Sequence, residues 1–326
     1  MRQSRSPMAG KRGFALLIVV VVLLLVSFLA SQLIMQVRTE LQMTSNRRER
    51  TLGRFLAEGG VSLAIFRLID EPAGTSPPEF GLSFLLGWPY ETVLPKGKME
   101  YYMVNESGKI NLNSESMELL EKLLVHLGLD DNQVSIISDS ILDWRDGDDL
   151  YRINGAEQEY YEEQGLSYGP RNGRIEDPAE FFMIRGTEVL RDRIDPYEYF
   201  TALSGQKQIN INSLTPGMLK FLAGGDPEII GDYHATREAV INLDASHVTM
   251  IFGPTRGDEL SKYFIYNDAR NPYFTIIATG YPGAKAEEDE TDPDGETVKL
   301  HGTRIQVRLG RLGNTMQYLS WKESLI

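Results

Sequence analysis

An uncharged segment near the start of the chain constrains its structure most. No charged side chain occurs from Phe14 to Val37, and every residue from Phe14 to Val26 is apolar. At ~1.5 Å per residue the 24 residues of this segment would form a helix of roughly 36 Å, longer than the ~30 Å hydrocarbon core of a bilayer. We therefore predict one membrane-spanning helix, with the remainder of the chain on one side of the membrane.

The residues before this segment predict its orientation and its processing. Residues 1–13 contain four basic side chains and no acidic one, so this end is expected to remain in the cytoplasm. A signal-peptidase site at Ser31 is disfavoured because the helical pattern continues past it. A basic leader followed by Gly13, Phe14 and an unbroken apolar helix resembles a type IV prepilin leader. A signal anchor that is never cleaved is the alternative.

The composition of the chain argues against several classes of function and of metal site. The 326 residues carry a formal charge of −13, which disfavours nucleic acid as a partner and favours cations. The chain has no cysteine, so disulfides and thiolate metal sites are excluded. Its four histidines form no metal-binding motif, and no GxGxxG or P-loop pattern occurs. We therefore predict a protein that is not an enzyme.

The order of periodic segments predicts an α+β fold. Residues 38–69 continue the first helix, Lys98–Val104 reads as a strand, and three strands follow residue 271. We predict a pilin-like long N-terminal helix packed on a small antiparallel sheet, with a large α-helical domain inserted into the sheet. The predicted divisions are 1–13 (leader), 14–37 (transmembrane and assembly helix), 38–110 (helix continuation and first β part), 111–265 (inserted α-domain) and 266–326 (C-terminal strands).

Two stretches of the predicted α-domain resemble each other. GKINLNSESMELLEKLLVHLG (108–128) and QKQININSLTPGMLKFLAGG (206–225) share an Ile-Asn-x-Asn-Ser opening and equally spaced leucines. Asn or Ser is predicted to cap each helix at its start, and a glycine to end it. The pair indicates two similar helical units in one domain.

One acidic segment is the best candidate for a metal site. Asp143, Asp146, Asp148 and Asp149 lie within seven residues, and Glu157 follows closely. Clustered carboxylates suit Ca²⁺, which takes about 6–8 oxygen ligands, although the spacing is not that of an EF-hand. A solvated acidic loop is the alternative interpretation. The acidic stretch 286–296 is a second, weaker candidate.

The chain as a whole resembles the K-type minor pseudopilins of the type II secretion system (general secretion pathway protein K). The resemblance rests on RGFALLIVVVVLLL after the basic leader, on KINLN and ININS opening the two units, and on ILDWRDGDD followed by GAEQEYY. It covers most of the chain. The leader is common to all pilins, whereas the acidic motif inside a duplicated helical domain is more specific.

This resemblance implies an assembly role. Prepilin peptidase would cleave after Gly13 and methylate the amine of Phe14. The chain would sit in the bacterial inner membrane as a single-pass protein, contact its lipid, and extend into the periplasm. It would join I-type and J-type minor pseudopilins and other pseudopilins in a pseudopilus for protein export. Calcium binding would fall on Asp143, Asp146, Asp148, Asp149 and Glu157.

The resemblance also gives meaning to Ile18, the fifth residue after the expected cleavage site. Most pilins carry a glutamate there, which is thought to pair with the amino terminus of the subunit ahead. An unpaired carboxylate in lipid costs several kcal/mol, so a subunit with none ahead of it is better without one. Ile18 therefore favours a subunit at the tip of the filament.

Two other functions remain compatible with these patterns. A minor pilin of a type IV pilus would share the leader but not usually the duplicated domain. A signal-anchored periplasmic enzyme would use the acidic segment as a metal site, although histidine ligands and a nucleophile are missing.

Overall fold

A computed structural model of the chain describes residues 11–70, 85–240, 242–266, 271–283, 302–312 and 315–326. Within these ranges the α-helices are α1 (Lys11–Asp70), α2 (Glu118–His126), α3 (Asp131–Arg145), α4 (Gln158–Glu163), α5 (Pro196–Tyr199), α6 (Pro216–Leu222), α7 (Pro227–Ala239), α8 (Ala245–Phe252) and α9 (Pro254–Ser261). The strands are β1 (Tyr90–Leu94), β2 (Gly97–Asn105), β3 (Ile110–Asn111), β4 (Phe200–Thr201), β5 (Ile209–Asn210), β6 (Phe264–Ile265), β7 (Tyr273–Pro282), β8 (Thr303–Leu312) and β9 (Thr315–Leu325). Residues 1–10 of the predicted leader and the acidic stretch 286–296 lie outside the described residues.

One antiparallel sheet carries the fold, in the strand order β1-β2-β7-β8-β9. Strand β2 pairs directly with β7, and helices α2 to α9 all lie between these two strands in the sequence. The helical domain is therefore inserted into the sheet, and the predicted α+β fold is confirmed.

The sequence interpretation missed one strand of the sheet. It placed a single strand before the helical domain, whereas β1 and β2 form a hairpin in which Leu94 pairs with Gly97. Strand β1 lies at the sheet edge, is short, and is mostly exposed. It therefore lacks the alternation of apolar and polar residues by which a half-buried strand is recognised.

The second half of α1 packs on the sheet through small residues. Ala57 and Ala64 are fully buried there, and Val61 lies between them. A Cβ atom added at Gly280 of β7 would lie 2.1 Å from the carbonyl oxygen of Gly53. One added at Gly60 would lie 3.0 Å from the Cβ of Ala278. The helix glycines, each costing about 1 kcal/mol relative to alanine, thus serve close packing, and α1 continues through them.

The first half of α1 contacts no other described part of the chain. Every residue from Leu16 to Arg50 is exposed, and the exposed residues from Leu16 to Val37 are almost all apolar. The helix is long and apolar enough to cross a membrane.

The two similar stretches adopt the same local structure. In each, a short strand forms a parallel pair with a later strand, β3 with β4 and β5 with β6. Asn113 exchanges hydrogen bonds with the backbone N–H and carbonyl of Ile175, both at 2.9 Å. Asn212 does the same with Leu243, at 2.7 and 3.0 Å. The second asparagine of each opening thus holds a distant segment against its helical unit.

The prediction that a glycine ends each of the two helices is confirmed, whereas the prediction that Asn or Ser caps their starts is wrong. Gly128 and Gly224, which follow α2 and α6, have positive φ angles of 85° and 70°, as terminating glycines do. At the other end, Thr215 caps α6, and α2 begins after Met117 without a side-chain cap. The asparagines instead form turns before the helices, where the Asn111 side chain accepts from the Asn113 N–H at 2.9 Å.

The stretch from Asp177 to Leu190 forms no continuous helix. Two 3₁₀ turns occupy this stretch, Pro178–Met183 and Thr187–Leu190. Gly186 separates them with a φ of 88°, which a right-handed helix cannot include.

A buried ion pair joins the sheet to the helical domain. Glu106 and Lys109, directly after β2, have side chains only 1% exposed and lie 2.6 Å apart. The Thr275 hydroxyl of β7 donates to the same Glu106 carboxylate. Burial alone would raise the pKa of Glu106, but the charge and hydrogen bond of Lys109 lower it below its usual value. Nearby, Asn105 donates to the carbonyl of Asn271 at 2.9 Å, so several polar contacts cross this junction.

Candidate functional site

Helix α3 delivers the first two carboxylates of the acidic segment. Asp130 starts the helix with a capping box shared with Gln133. Ile137, Ile141 and Trp144 face the domain core and are buried. Asp143 lies on that same inward face and is fully buried, while Asp146 is the residue at which the helix ends. The helix thus carries a charged group into an apolar surrounding, where an unpaired charge would be costly.

Arg152 supplies the positive charge for this pair. Its guanidinium donates to Asp143 at 2.5 Å and to Asp146 at 2.6 Å. The backbone N–H of Arg152 also donates to the Asp143 carboxylate, at 3.1 Å. A Cβ at Gly155 would lie 1.8 Å from Asp143 Oδ2, so only glycine allows the returning chain to pass this close.

Glu157 lies beside this pair without a partner. It is buried, and neither of its carboxylate oxygens has a hydrogen-bond partner among the described residues. Burial raises the pKa of Glu157 to about 7, with further increases from the charges of Asp143 and Asp146. Oδ1 of Asp146 is likewise buried and unpartnered. Carboxylates thus outnumber the cations that neutralise them.

The remaining two predicted ligands are exposed. Asp148 accepts a hydrogen bond from the N–H of Leu150 at 2.9 Å, and Asp149 is exposed beside it. The structure therefore brings Asp143 and Asp146 together on one arginine, with Glu157 close by. It does not bring Asp148 or Asp149 into that contact. As placed, the described residues contain no group of three or more histidine, aspartate or glutamate side chains that could hold a metal ion.

The donor set is nonetheless chemically suited to a hard cation. Three buried carboxylate oxygens, two of Glu157 and one of Asp146, lack partners in the described chain. Buried polar groups normally find a partner, and unsatisfied oxygens near other carboxylates are the groups that Ca²⁺ prefers. A pocket of about 280 Å³ adjoins this region and is lined by Asp146, Arg152, Arg145 and Arg174, among others.

The residues predicted for processing lie at the start of α1. Gly13 and Phe14 belong to its first turns, and Ile18 is an exposed residue of its apolar surface. No charged side chain is found between Leu16 and Val37 of the helix.

Two features of the site were missed from the sequence. Arg152 reads as a solvated charge in an acidic stretch, yet it holds the site together. Leu150, Tyr151 and Ile153 interrupt the acidic segment, and their apolar side chains are strongly exposed. The alternation of apolar and polar residues from Tyr151 to Asn154 was the available signal.

Comparison with known proteins finds similarity to one family. A family model described as type II secretion system (T2SS), protein K, matches residues 102–198, which include the acidic segment. Type II secretion system protein K of Klebsiella pneumoniae is 26% identical over 231 residues, covering 65% of this chain and 69% of the relative. The protein K of Dickeya chrysanthemi is 25% identical, covering 65% and 72%. Over these residues the chain is similar to protein K of the type II secretion system. The similarities support a minor pseudopilin of that system, as the sequence resemblance predicts.

A solved structure shows the same fold. The crystal structure of the GspK-GspI-GspJ complex from the enterotoxigenic Escherichia coli type 2 secretion system contains a chain that matches with a TM-score of 0.53. The match has 15% identity and covers 86% of this chain and 99% of the solved chain. The relatives are named for their secretion system and not for a reaction.

The charge balance of the site predicts a stability effect for Arg152→Gln. Losing one partner of a buried pair typically costs 3–5 kcal/mol, and because Arg152 is 38% exposed we expect about 2–3 kcal/mol here. Urea unfolding of the full chain in detergent with a chelator measures the change. The control is Lys207→Gln, whose pair with Glu115 is 64% and 84% exposed and should leave the stability nearly unchanged. Equal effects of the two substitutions would contradict the role given to Arg152.

Proposed function

We propose that this minor pseudopilin caps the tip of a periplasmic pseudopilus and begins its assembly with I-type and J-type minor pseudopilins and other pseudopilins. The division of α1 is the observation that carries this proposal. Residues Leu16–Val37 present apolar side chains that no described part of the chain covers, whereas Gly53–Ala64 are packed on the sheet. The exposed half suits inner-membrane lipid before assembly and the helices of other subunits afterwards. The role is one of assembly and requires no catalysis.

Two features favour the tip over the shaft. Ile18 leaves the fifth position of the processed chain uncharged, so no carboxylate has to be neutralised by a subunit ahead. The inserted domain, from α2 to α9, adds bulk to the small sheet between β2 and β7. A subunit that carries such a domain would hinder the addition of another subunit beyond it.

Labelling at one exposed position tests the tip location. The chain has no cysteine, so Met250→Cys on α8 introduces the only thiol, at an exposed side chain of the helical domain. Isolated pseudopili that carry this variant are treated with maleimide-coupled gold and imaged. We expect a single gold particle at one end of each filament, and none with the cysteine-free chain. Particles distributed along the filaments would overturn the tip location.

Processing at Gly13 and Phe14 is part of the same proposal. Prepilin peptidase would remove the basic leader and methylate the new amine, leaving the single-pass helix in the inner membrane and the globular part in the periplasm. Mass spectrometry of the N-terminal peptide, on chain purified from its native membrane, is expected to give N-methylated Phe14. A chain that begins at Met1, in cells that process other prepilins, would contradict this. Gly13→Leu should block cleavage, whereas Gly10→Leu, three residues earlier, should not.

We also propose that the acidic segment binds calcium. Glu157 and Asp146 provide the unpartnered oxygens, and Asp143 lies beside them; Asp148 and Asp149 are exposed and would have to approach to contribute. A bound calcium ion would supply the positive charge that Arg152 alone does not. Asp143 and Arg152 would still hold the loop, since their contacts do not involve the free oxygens of Glu157.

Thermal unfolding tests the calcium proposal. After chelation, addition of calcium at about 100 times its dissociation constant should stabilise the full chain in detergent by about 2.7 kcal/mol. Glu157→Gln should remove most of this gain because it neutralises the unpartnered carboxylate. Glu159→Gln, an exposed neighbour on α4, is the matched control and should retain the gain. No calcium-dependent shift, or equal losses in both variants, would contradict the proposal.

A further inference from the structure

The loop between α3 and α4 exposes three large apolar side chains. Leu150, Tyr151 and Ile153 have exposed fractions of 77%, 69% and 96%. Single exposed apolar residues are common on protein surfaces, but three within four residues of one loop form a contiguous patch. This patch plays no part in the assembly helix or the acidic site described above.

Two polar residues of the same loop, Arg152 and Asn154, point inward. Arg152 is held by Asp143 and Asp146, as described above. Asn154 donates to Asp139 Oδ2 of α3 twice, from its backbone N–H and from its side chain, each at 3.1 Å. Gly155 is buried next to Asp143. Arg152 and Asn154 therefore anchor the loop to the protein, and the apolar side chains that alternate with them, Tyr151 and Ile153, are directed outward.

This orientation is the reverse of what burial of apolar surface favours. A loop free to rearrange would turn Ile153 toward the protein and leave Arg152 in water. Here the rearrangement would break the contacts of Arg152 with two carboxylates and both contacts of Asn154 with Asp139. The anchoring therefore keeps the apolar side chains available, with little ordering left to be done when a partner binds.

The exposed residues that flank the patch in the chain are acidic. Asp148 and Asp149 directly precede it and are exposed, and α4 after it carries exposed Glu159, Glu162 and Glu163. The one basic residue of the loop, Arg152, is already paired with two carboxylates. An anionic lipid surface would be repelled, and so would a second copy of a chain with a net charge of −13. Complementary charge would come from a protein surface whose apolar pocket is bordered by lysine or arginine.

We propose that Leu150, Tyr151 and Ile153 form a docking loop for a protein partner that presents an apolar pocket with a basic rim. The apolar side chains would fill the pocket, and the acidic residues around them would pair with the rim. This inference goes beyond the proposed tip location and beyond the calcium proposal, because the loop is exposed and anchored whether or not either is correct.

Photo-crosslinking in cells tests the proposal directly. The full chain carries p-benzoylphenylalanine at position 153, or at the control position 189, where Val189 is also exposed in the helical domain. We expect position 153 to give one specific protein adduct, whose linked peptide contains apolar residues beside lysine or arginine. Leu150→Ser with Tyr151→Ser in the same chain should reduce that adduct about tenfold, as loss of anchor residues does. No adduct beyond the control, or an adduct to lipid, to a second copy or to an acidic surface, would overturn the proposal.

Secretion provides the second readout. The chain with Leu150, Tyr151 and Ile153 all replaced by serine should keep its thermal midpoint, because these side chains contact solvent. Export by a strain that has only this chain should nevertheless fall about tenfold. Val189→Ser with Met250→Ser is the matched control and should leave export unchanged. A lowered midpoint, or unchanged export, would overturn the docking loop. Failure of the unsubstituted chain to support export would instead count against the proposed function.

Discussion

One continuous helix must satisfy two different environments, and the rest of the structure depends on that constraint. From Leu16 to Val37, helix α1 exposes apolar residues on every side, which only lipid or other helices can cover. From Gly53 onward it buries one face on the sheet, and its backbone lies so close to β7 that a side chain at Gly280 would collide with Gly53. The close contact fixes the direction in which α1 leaves the sheet. The membrane segment, the sheet and the domain inserted into it are thereby held in a defined relation.

The inserted domain depends on a different kind of contact, between buried polar groups and distant backbone. Asn113 and Asn212 occupy equivalent positions in the two similar units, and each satisfies the N–H and carbonyl of a remote residue. Buried backbone groups without partners are costly, so each asparagine both satisfies and positions the segment it holds. Glu106, which is paired with Lys109, accepts a hydrogen bond from the Thr275 hydroxyl of β7 and so links the start of the domain to the sheet. Removing one partner of any such contact would leave the other buried and unsatisfied, which makes these positions sensitive to substitution.

Sequence patterns predicted the parts of the fold that local periodicity determines. The sequence patterns that could be recognised are the long apolar run of α1, the alternation of apolar and polar residues in β8, and the repeated asparagines. The edge strand β1 could not be recognised, because an exposed strand needs no alternation of apolar and polar residues. The interruption of helical structure at Gly186 could not be recognised either, because the φ angle of a glycine within an apolar stretch cannot be inferred from the sequence. Only part of the site could be predicted from the sequence. The acidic residues form a recognisable cluster. The role of Arg152 depends on its contacts with Asp143 and Asp146, and no local sequence pattern specifies that pairing.

The acidic segment accounts for two properties that the sequence patterns do not connect, namely the buried carboxylates and the exposed apolar side chains. Carboxylates inside the domain attract Arg152 and, by our proposal, a calcium ion. Because Arg152 lies between Tyr151 and Ile153, the same attraction turns those two side chains toward solvent. The interior charge and the exterior apolar patch are therefore two consequences of one arrangement. A cation bound at Glu157 would reduce the repulsion among the carboxylates that Arg152 must overcome, so that calcium would stabilise the outward orientation of Tyr151 and Ile153 without contacting their side chains. In this view the buried carboxylates determine which side chains the loop exposes, in addition to any ion they bind.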